Sequence, residues 1–320
     1  MKRYAYTVVG GGAMVQMLKF HDLPQVGKTA APINPKPDQL FYGGNGFNVY
    51  CGLGELGVPV YPVLTHDHPQ MNEKMHENAL RYHHPQDAIF GPEQEKYYQC
   101  LMMGNDAGAH ITITYWFGKD VDNYQHQSRN IVLRDAFFQD SDMTLLVMGN
   151  PDVTPQTLAL TKKYGLPLAY SYRNDSRLVP KDILNDILHQ ASVLFTNETE
   201  ADFINAQYGL DHITDLFKLG KADIIVTTLG KDGCMVYDKN HGRDFAQTQV
   251  PITQNRTGCV DAVGAGDAFV AGFMYGMYKR CTPVTCAEYG NTASSFVIEK
   301  DGSVTNLPTE EQLLHRNSLR

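Results

Sequence analysis

From residue 143 onward, short apolar runs alternate with longer amphipathic segments. The runs TLLVMG, LPLAY and SVLFT are typical of buried strands, and the segments TPQTLALTKKYG and PKDILNDILHQA between them are typical of helices. Strands joined by helices in this way form right-handed βαβ units and a mainly parallel sheet. We predict one large α/β domain over residues 1–320, because a chain of this length with 42% hydrophobic residues can bury such a core.

The N-terminal part of the chain carries a different pattern. Residues 4–9 predict a buried first strand that ends in a turn at Gly10–Gly12, and the proline-rich segment 17–40 predicts short strands and turns. Segments 96–103 and 110–117 are joined by GNDAGA, whose turn chemistry predicts a β-hairpin. We interpret segment 17–40 as part of a flap.

Charge and apolar patterning exclude several classes of protein. The formal net charge is −8, and no cluster of Lys and Arg forms the basic stripe that nucleic acid or an anionic membrane would require. The apolar runs are far shorter than the roughly 20 residues needed to cross a bilayer, and the N-terminus has no extended apolar segment. The six cysteines form no CxxC pair, as expected of reduced thiols. We therefore expect a cytoplasmic protein.

The segment 261–267 reads DAVGAGD and leads directly into the apolar stretch 268–278, which predicts a small-residue loop that opens a helix. The first turn of a helix leaves N–H groups unpaired and carries partial positive charge, and the small residues let an anion approach them. Asp267 has two interpretations at this position. It is either a helix cap or a base that takes a proton from a hydroxyl attacking a bound phosphoryl group.

This segment resembles the C-terminal signature of the ribokinase-like (pfkB) carbohydrate kinase family, which is usually Asp-Thr-x-Gly-Ala-Gly-Asp. Ala262 replaces the threonine. Other landmarks occur in the family's order: Gly43, Gly44 and Asn48 in GGNGFN, Asn197–Glu200 in NETE, Thr228–Gly233 in TLGKDG, and Asn291. VLFTNETEADFI and VTTLGKDG are most similar to the bacterial adenosine-kinase-like branch. The resemblance implies a three-layer αβα sandwich with a mainly parallel central sheet, and a small β lid from residues of about 15–42 and 96–118.

The resemblance also implies an activity, namely ATP-dependent phosphorylation of a hydroxyl on a small sugar, sugar-like molecule or nucleoside. Asp267 would accept the hydroxyl proton. Gly264, Ala265 and Gly266 would form the anion hole around the transferring phosphoryl group. Catalysis of this kind depends mainly on positioning and electrostatics.

Cation sites follow from the same resemblance. Asn197 and Glu200 would organise Mg²⁺ and the nucleotide phosphates, because Mg²⁺ prefers oxygen ligands and keeps several waters. Helix propensity alone also explains them as an N-cap followed by acids in the first turn, and both interpretations can hold together. Many relatives bind a monovalent cation such as K⁺ near the anion hole, for which the backbone oxygens of Asp261 and Val263 are candidates.

On the nucleotide side, Thr228, Gly230 and Gly233 follow a predicted strand. By resemblance they line the ATP site, with Asn291 near the adenine or ribose. Without the resemblance, the TLGKDG segment is an ordinary turn. Arg173 lies in SYRNDSRL, where many relatives carry Asp-Pro-Asn-x-Arg, and it is a weak candidate for the phosphate region.

On the acceptor side, Gly43, Gly44 and Asn48 would contact substrate hydroxyls by resemblance. The alternative is a glycine turn followed by an ordinary helical asparagine. Trp116, at the end of the hairpin, is a candidate to stack on a sugar face or a purine, and a hydrophobic lid seam is the alternative. Family members often pair through their lids, so a homodimer is expected.

One position departs from the family pattern. Relatives commonly place an aspartate in the first strand-to-flap segment, where it binds two substrate hydroxyls, and by resemblance that position falls at or beside Val15 here. Hydrogen bonds to a charged group contribute about 1.5–3 kcal/mol each, so a diol contact would be weakened unless Gln16 or a lid residue replaces it.

Two rival functions stay open on the sequence alone. The missing aspartate favours a nucleotide- or metabolite-binding sensor on a kinase fold with little catalysis. Gly10–Gly12 favour a nicotinamide-dependent dehydrogenase, but the fingerprint G-x-G-x-x-G would need glycine at Val15.

Overall fold

The structure, a computed structural model, describes residues 2–91, 96–105, 110–118, 130–239, 245–254 and 258–320, without the side chains of 96–98, 110 and 116–118. The described strands are β1 Tyr4–Phe20, β2 Leu40–Gly43, β3 Val60–His66, β4 Ile89–Phe90, β5 Lys96–Asn105, β6 His110–Gly118, β7 Ser141–Val147, β8 Leu168–Ser171, β9 Ala191–Asn197, β10 Ile224–Thr228, β11 Cys234–Asp238 and β12 Ala246–Val250. The described helices are α1 Asn45–Glu55, α2 Pro69–Arg81, α3 Thr154–Lys163, α4 Lys181–Gln190, α5 Glu198–Tyr208, α6 Leu216–Leu219, α7 Ala265–Tyr278, α8 Pro283–Val297 and α9 Glu310–Asn317. None of these helices is long and apolar enough to cross a membrane.

The main sheet has the strand order β12-β11-β10-β9-β8-β7-β1-β3-β4. All neighbours from β10 to β4 are parallel, and β11 runs antiparallel to both of its neighbours. One hydrophobic core joins this sheet to α1, α2, α7 and α8, and a second core joins its other face to α3, α4 and α5. The predicted three-layer αβα sandwich with a mainly parallel sheet is thus confirmed, and the carboxyl ends of its parallel strands meet at one edge.

The predicted turn at Gly10–Gly12 is wrong, because β1 continues through the glycines to Phe20. The glycines allow close packing: a Cβ on Gly10 would lie 2.6 Å from the Cα of Gly46, at the start of α1. The backbone of α1 therefore packs directly against the backbone of β1. Because these glycines lie inside a strand, they form no nucleotide-binding turn between a strand and a helix, and the dehydrogenase interpretation loses its motif.

The second half of β1 belongs to a smaller sheet. Residues 13–16 pair antiparallel with β2, and residues 14–20 pair parallel with β5. β5 and β6 form the predicted antiparallel hairpin, with register Lys96↔Gly118 to Gly104↔His110. One long strand thus carries the small sheet directly from the edge of the main sheet at which the helices α1 and α7 begin.

Candidate active site

Helix α7 begins at the predicted small-residue loop. Gly264 is its N-cap, in a left-handed conformation with φ 82°. A Cβ on Gly264 would lie 2.4 Å from the Cβ of Ser303, so this position has no room for a side chain. Ala265, Gly266 and Asp267 form the first turn, and the apolar residues after them are buried against α1 and α8. The sequence therefore produces a helix N-terminus with a partly exposed backbone and one buried acid.

Asp267 is 2% exposed, and its carboxylate accepts hydrogen bonds from three side chains. Asn48 Nδ2 donates to Oδ2 at 2.8 Å, and Asn45 Nδ2 lies 3.0 Å from Oδ1 and 3.2 Å from Oδ2. Arg173 Nη2 donates to Oδ1 at 2.9 Å. The carboxylate thus faces α1 and the loop after β8, and the N-cap of α7 has no side-chain cap hydrogen bond. This geometry suits a base better than a cap.

Ser303 is a residue of the site that sequence reasoning missed. It is 4% exposed, and its Oγ donates to Asn48 Oδ1 at 2.9 Å. That hydrogen bond fixes which end of the Asn48 amide faces Asp267, because the Nδ2 end is left to donate to the carboxylate. Ser303 lies in a loop without a motif, 255 residues from Asn48 along the chain, so no local pattern marks it.

We expect Ser303→Ala to lower kcat/KM by about tenfold, because the Asn48 amide loses the partner that orients it and one buried hydrogen bond is worth about 1 kcal/mol. Steady-state kinetics of the activity that the resemblance implies measure the effect. Ser192→Ala is the matched control: it removes a comparable hydrogen bond to Leu168 O, at the amino end of β9, and should leave kcat/KM unchanged. Equal kinetics for both variants would contradict the orienting role of Ser303.

Arg173 lies two residues after β8, and its side chain reaches the first turn of α7. Besides its bond to Asp267, Nη1 lies 3.8 Å from Glu200 Oε2 and donates to the carbonyl oxygen of Tyr172 at 2.7 Å. Burial alone would lower the pKa of Arg173, but the charges of Asp267 and Glu200 outweigh it and raise the pKa. The guanidinium therefore bridges two buried carboxylates that come from different elements.

Asn197 and Glu200 form a capping box at the start of α5. Asn197 Oδ1 accepts from the Glu200 N–H at 2.8 Å, and Glu200 Oε2 accepts from the Asn197 N–H at 2.8 Å. Burial raises the pKa of Glu200, while Arg173 acts in the opposite direction. The helix-cap interpretation of these residues is confirmed, and it leaves a buried carboxylate 3.8 Å from a guanidinium that also touches Asp267.

The residues expected at the nucleotide lie together beyond β10. Thr228 pairs with Asn197 across neighbouring strands and donates from Oγ1 to Thr196 O at 3.3 Å. Gly230 is the first residue of the short 3₁₀ turn that follows, and Gly233 is its C-cap and packs against the carbonyl of Val250. This loop is therefore adjacent to the start of α5.

The side chain of Asn291 holds the backbone at the end of β12. Its Nδ2 donates to Val250 O at 3.1 Å and to Pro251 O at 2.9 Å, so it holds the chain that leaves β12. Its side chain is 6% exposed. Asn291 thus lies behind the loop of Gly233 and fixes its position through the β12 backbone.

The acceptor-side residues are only partly brought together. Gly43 ends β2, Gly44 is the N-cap of α1, and Asn48 reaches Asp267. Gln16 instead donates to Pro37 O at 2.9 Å. Because neighbouring residues of a strand point to opposite faces, Gln16 faces away from the side on which Val15 contacts Gly43, and it does not replace the missing aspartate.

The stacking role expected of Trp116 concerns a side chain that lies outside the described part of the chain. The Trp116 backbone pairs with Tyr98 in the hairpin.

Asp261, a candidate for the cation site, is buried, which raises the pKa of its carboxyl. Its side-chain oxygens accept hydrogen bonds from the N–H groups of Val263 and Gly302 at 3.0 and 3.1 Å. The Asp261 side chain thus ties the loop before α7 to the loop that holds Ser303.

Within the described residues, no group of three or more His, Cys, Asp or Glu side chains is arranged to hold a metal ion. The carboxylate of Glu200 and the amide oxygen of Asn197 fit Mg²⁺ only as partners of an ion that brings most of its ligands as water and phosphate oxygens. This is the usual coordination of Mg²⁺ at nucleotide sites.

Comparison with known proteins gives concordant findings. The model of the pfkB family carbohydrate kinases matches residues 24–310. The nucleoside kinase of Methanothermobacter thermautotrophicus is 25% identical over 171 residues, which is 53% of this chain and 52% of that kinase. The nucleoside kinase of Methanocaldococcus jannaschii is 27% identical over 279 residues, covering 86% and 85% of the two chains. The structure of Arabidopsis thaliana ribokinase with ribose and ATP superposes with a TM-score of 0.76 at 20% identity, covering 99% of each chain.

Proposed function

The chain belongs to the pfkB family of carbohydrate kinases, and on this premise we propose that it transfers the γ-phosphoryl group of ATP to a hydroxyl of a small sugar or nucleoside. The observation that carries the proposal is Asp267. It is a buried carboxylate at a glycine-rich helix N-terminus, and its contacts are with side chains of α1 and the loop after β8. A base and an anion-binding backbone thus lie within one helical turn.

In this proposal the acceptor hydroxyl gives its proton to Asp267 as its oxygen attacks the γ-phosphorus. Asn45 and Asn48 hold the carboxylate in place. The backbone N–H groups of Gly264, Ala265 and Gly266 would stabilise the charge on the transferring group, aided by the positive end of the helix dipole. The Ala265 N–H donates to Ala262 O at 3.2 Å in this structure and would turn from that carbonyl to the phosphoryl group. Catalysis then rests on positioning, since the Asp267 carboxylate is held by Asn45 and Asn48 before the substrates arrive.

The nucleotide would bind along the loop of Thr228, Gly230 and Gly233, and the Arabidopsis ribokinase complex with ATP supports ATP as the donor. Mg²⁺ would be held beside Asn197 and Glu200, where it neutralises phosphate charge. K⁺ would bind at the backbone oxygens of Asp261 and Val263. Since the proposed donor is ATP and the proposed cations are Mg²⁺ and K⁺, we propose that the protein works in the cytoplasm.

The acceptor class is proposed as sugar or nucleoside, because ribokinase with ribose and two nucleoside kinases are among the similar proteins. Val15 is 7% exposed, and its methyl group lies 2.8 Å from the position of a Cβ on Gly43. By the family resemblance, this hydrocarbon would lie at or beside the position of the aspartate that binds substrate hydroxyls. This observation favours the second candidate, a sensor that binds nucleotide or metabolite with little turnover.

The decisive experiment measures ADP release from Mg·ATP with a panel of sugars, polyols and nucleosides, including adenosine. The kinase proposal expects release that depends on one class of acceptor. Measurable ATP binding without release for any acceptor would favour the sensor.

We further propose a homodimer through the small sheet. One face of this sheet carries apolar side chains in register across β1, β5 and β6, namely Leu18, Leu101, Met103, Ile111 and Ile113. Ile111 and Ile113 are 40% and 44% exposed. The opposite face, which carries Val15, lies toward the main domain. A second copy of the chain would cover this apolar face.

Ile113→Asp should weaken dimerisation by about 2 kcal/mol or more, because the interface would bury an unpaired charge. Sedimentation equilibrium measures the change in mass. Val132→Asp is the matched control, since Val132 is 72% exposed and lies outside the small sheet. A monomeric wild-type protein would contradict the proposed interface.

A further inference from the structure

The guanidinium of Arg173 lies over the first turn of α7, where a Cβ on Gly266 would be 3.3 Å from Nη2. A cation at the N-terminus of a helix is opposed by the helix dipole, which favours anions there. The dipole of α7 therefore does not explain this position. Arg173 instead adds positive charge to a backbone that is already suited to a phosphoryl group.

The hydrogen bonds of Asp267 give a second argument. A carboxylate has about four acceptor sites, and the contacts from Asn45, Asn48 and Arg173 occupy both oxygens. Asn48 is 5% exposed and is fixed by Ser303. The Arg173 side chain is 25% exposed. Of these three donors only Arg173 is charged, so an incoming phosphate attracts the guanidinium more strongly than either amide. When Arg173 leaves Asp267, Oδ1 becomes free to accept a proton.

We propose that Arg173 binds the transferring phosphoryl group and that Asp267 holds its guanidinium only until Mg·ATP arrives. This inference rests on the proposed kinase function. In the step, the acceptor oxygen forms a bond to the γ-phosphorus while the bond from that phosphorus to the β–γ bridging oxygen breaks, and ADP leaves with the electron pair. The acceptor proton goes to Asp267 Oδ1, the oxygen that Arg173 has left. The guanidinium donates to the γ-phosphoryl oxygens, whose spacing matches its planar fork.

The test compares Arg173→Gln and Arg173→Lys with the wild type. Arg173→Lys should keep an ion pair with Asp267 and the fold, but it lacks the planar fork of the guanidinium. Arg134→Gln is the matched control, because it removes a guanidinium from an exposed pair with Asp87 away from the site. For each protein, calorimetry gives the Kd of Mg·ATP and of Mg·ADP, kinetics give kcat, and thermal unfolding gives Tm.

We expect Arg173→Gln to lower kcat by about 10²–10³-fold, as for the loss of one donor to developing charge. The wild type should prefer Mg·ATP over Mg·ADP by roughly tenfold, and Arg173→Gln should lose this preference while it keeps its affinity for Mg·ADP. The kcat and the ATP preference of Arg173→Lys should lie between those of the wild type and of Arg173→Gln. Arg134→Gln should have the same kcat and ATP preference as the wild type.

Two results would overturn this role. One is an active wild type together with an Arg173→Gln kcat within about threefold of it; this result would exclude the role of Arg173 but would leave the kinase proposal standing. The other is an equal loss of affinity for Mg·ATP and Mg·ADP with a lowered Tm, which makes Arg173 a structural counterion. If the wild type phosphorylates no acceptor but Arg173→Gln still loses its ATP preference, the kinase proposal fails and phosphoryl binding by Arg173 stands.

Discussion

Asp267→Asn is expected to lower kcat by about 10²–10⁴-fold, the usual contribution of a general base. The substitution keeps the size of the side chain but removes the group that accepts the acceptor proton. Asn45 and Asn48 would still face the new amide, so the first turn of α7 should stay in place. The Kd of Mg·ATP should not rise, because the substitution removes a negative charge beside the phosphate site.

Asp182→Asn is the matched control for this change. Asp182 is also an acid in the first turn of a helix, α4, but it is exposed. It therefore reports the effect of removing an acid from a helix N-terminus without removing a base. Steady-state kinetics with Mg·ATP and the best acceptor, together with calorimetry, measure both variants. An Asp267→Asn enzyme with at least a tenth of wild-type kcat would remove Asp267 from the role of base.

Gly264→Ala should reduce kcat by about 10²-fold or more and also destabilise the fold. The positive φ of 82° costs a residue with a side chain about 1–2 kcal/mol. The added Cβ would also lie 2.4 Å from the Cβ and 2.8 Å from the Cα of Ser303, so the loop of Ser303 must move. That movement releases Asn48 and misplaces the base, and a shift of about 1 Å can cost 10²-fold in rate.

Gly27→Ala separates these effects, because Gly27 has φ 79° but no atom within 4 Å of the added Cβ. It should lose stability through its backbone conformation alone and keep full kcat. Thermal unfolding and kinetics on both variants make the comparison. Equal kcat values for the two alanine variants would show that the Gly264–Ser303 contact does not support the site.

The strand and helix pattern of the C-terminal half could be predicted because each segment has a strong period and clear ends. The predicted helix PKDILNDILHQA became α4 at Lys181–Gln190, and SVLFT became part of β9. β1 could not be predicted in the same way. Gly10–Gly12 have the composition of a turn, but the close approach of Gly46 requires glycines inside a continuous strand.

The residues of the candidate site also differ in how far the sequence predicted them. Asp267, Gly264 and Glu200 belong to contiguous motifs, so their positions at helix N-termini followed from the sequence. Ser303 lies in a loop without a motif, and its role depends on a contact across 255 residues of the chain. Arg173 was marked only by its neighbourhood, because its bridge between two carboxylates depends on how β8, α5 and α7 meet in space.

The most direct test of the central claim is to identify the product by mass spectrometry after incubation of the protein with Mg·ATP and each acceptor of the panel. We expect one class of sugar or nucleoside to gain a single phosphoryl group, in a one-to-one ratio with the ADP formed, and we expect no such product with Asp267→Asn. ADP formed without any phosphorylated acceptor, or a phosphorylated acceptor formed equally well by Asp267→Asn, would contradict it.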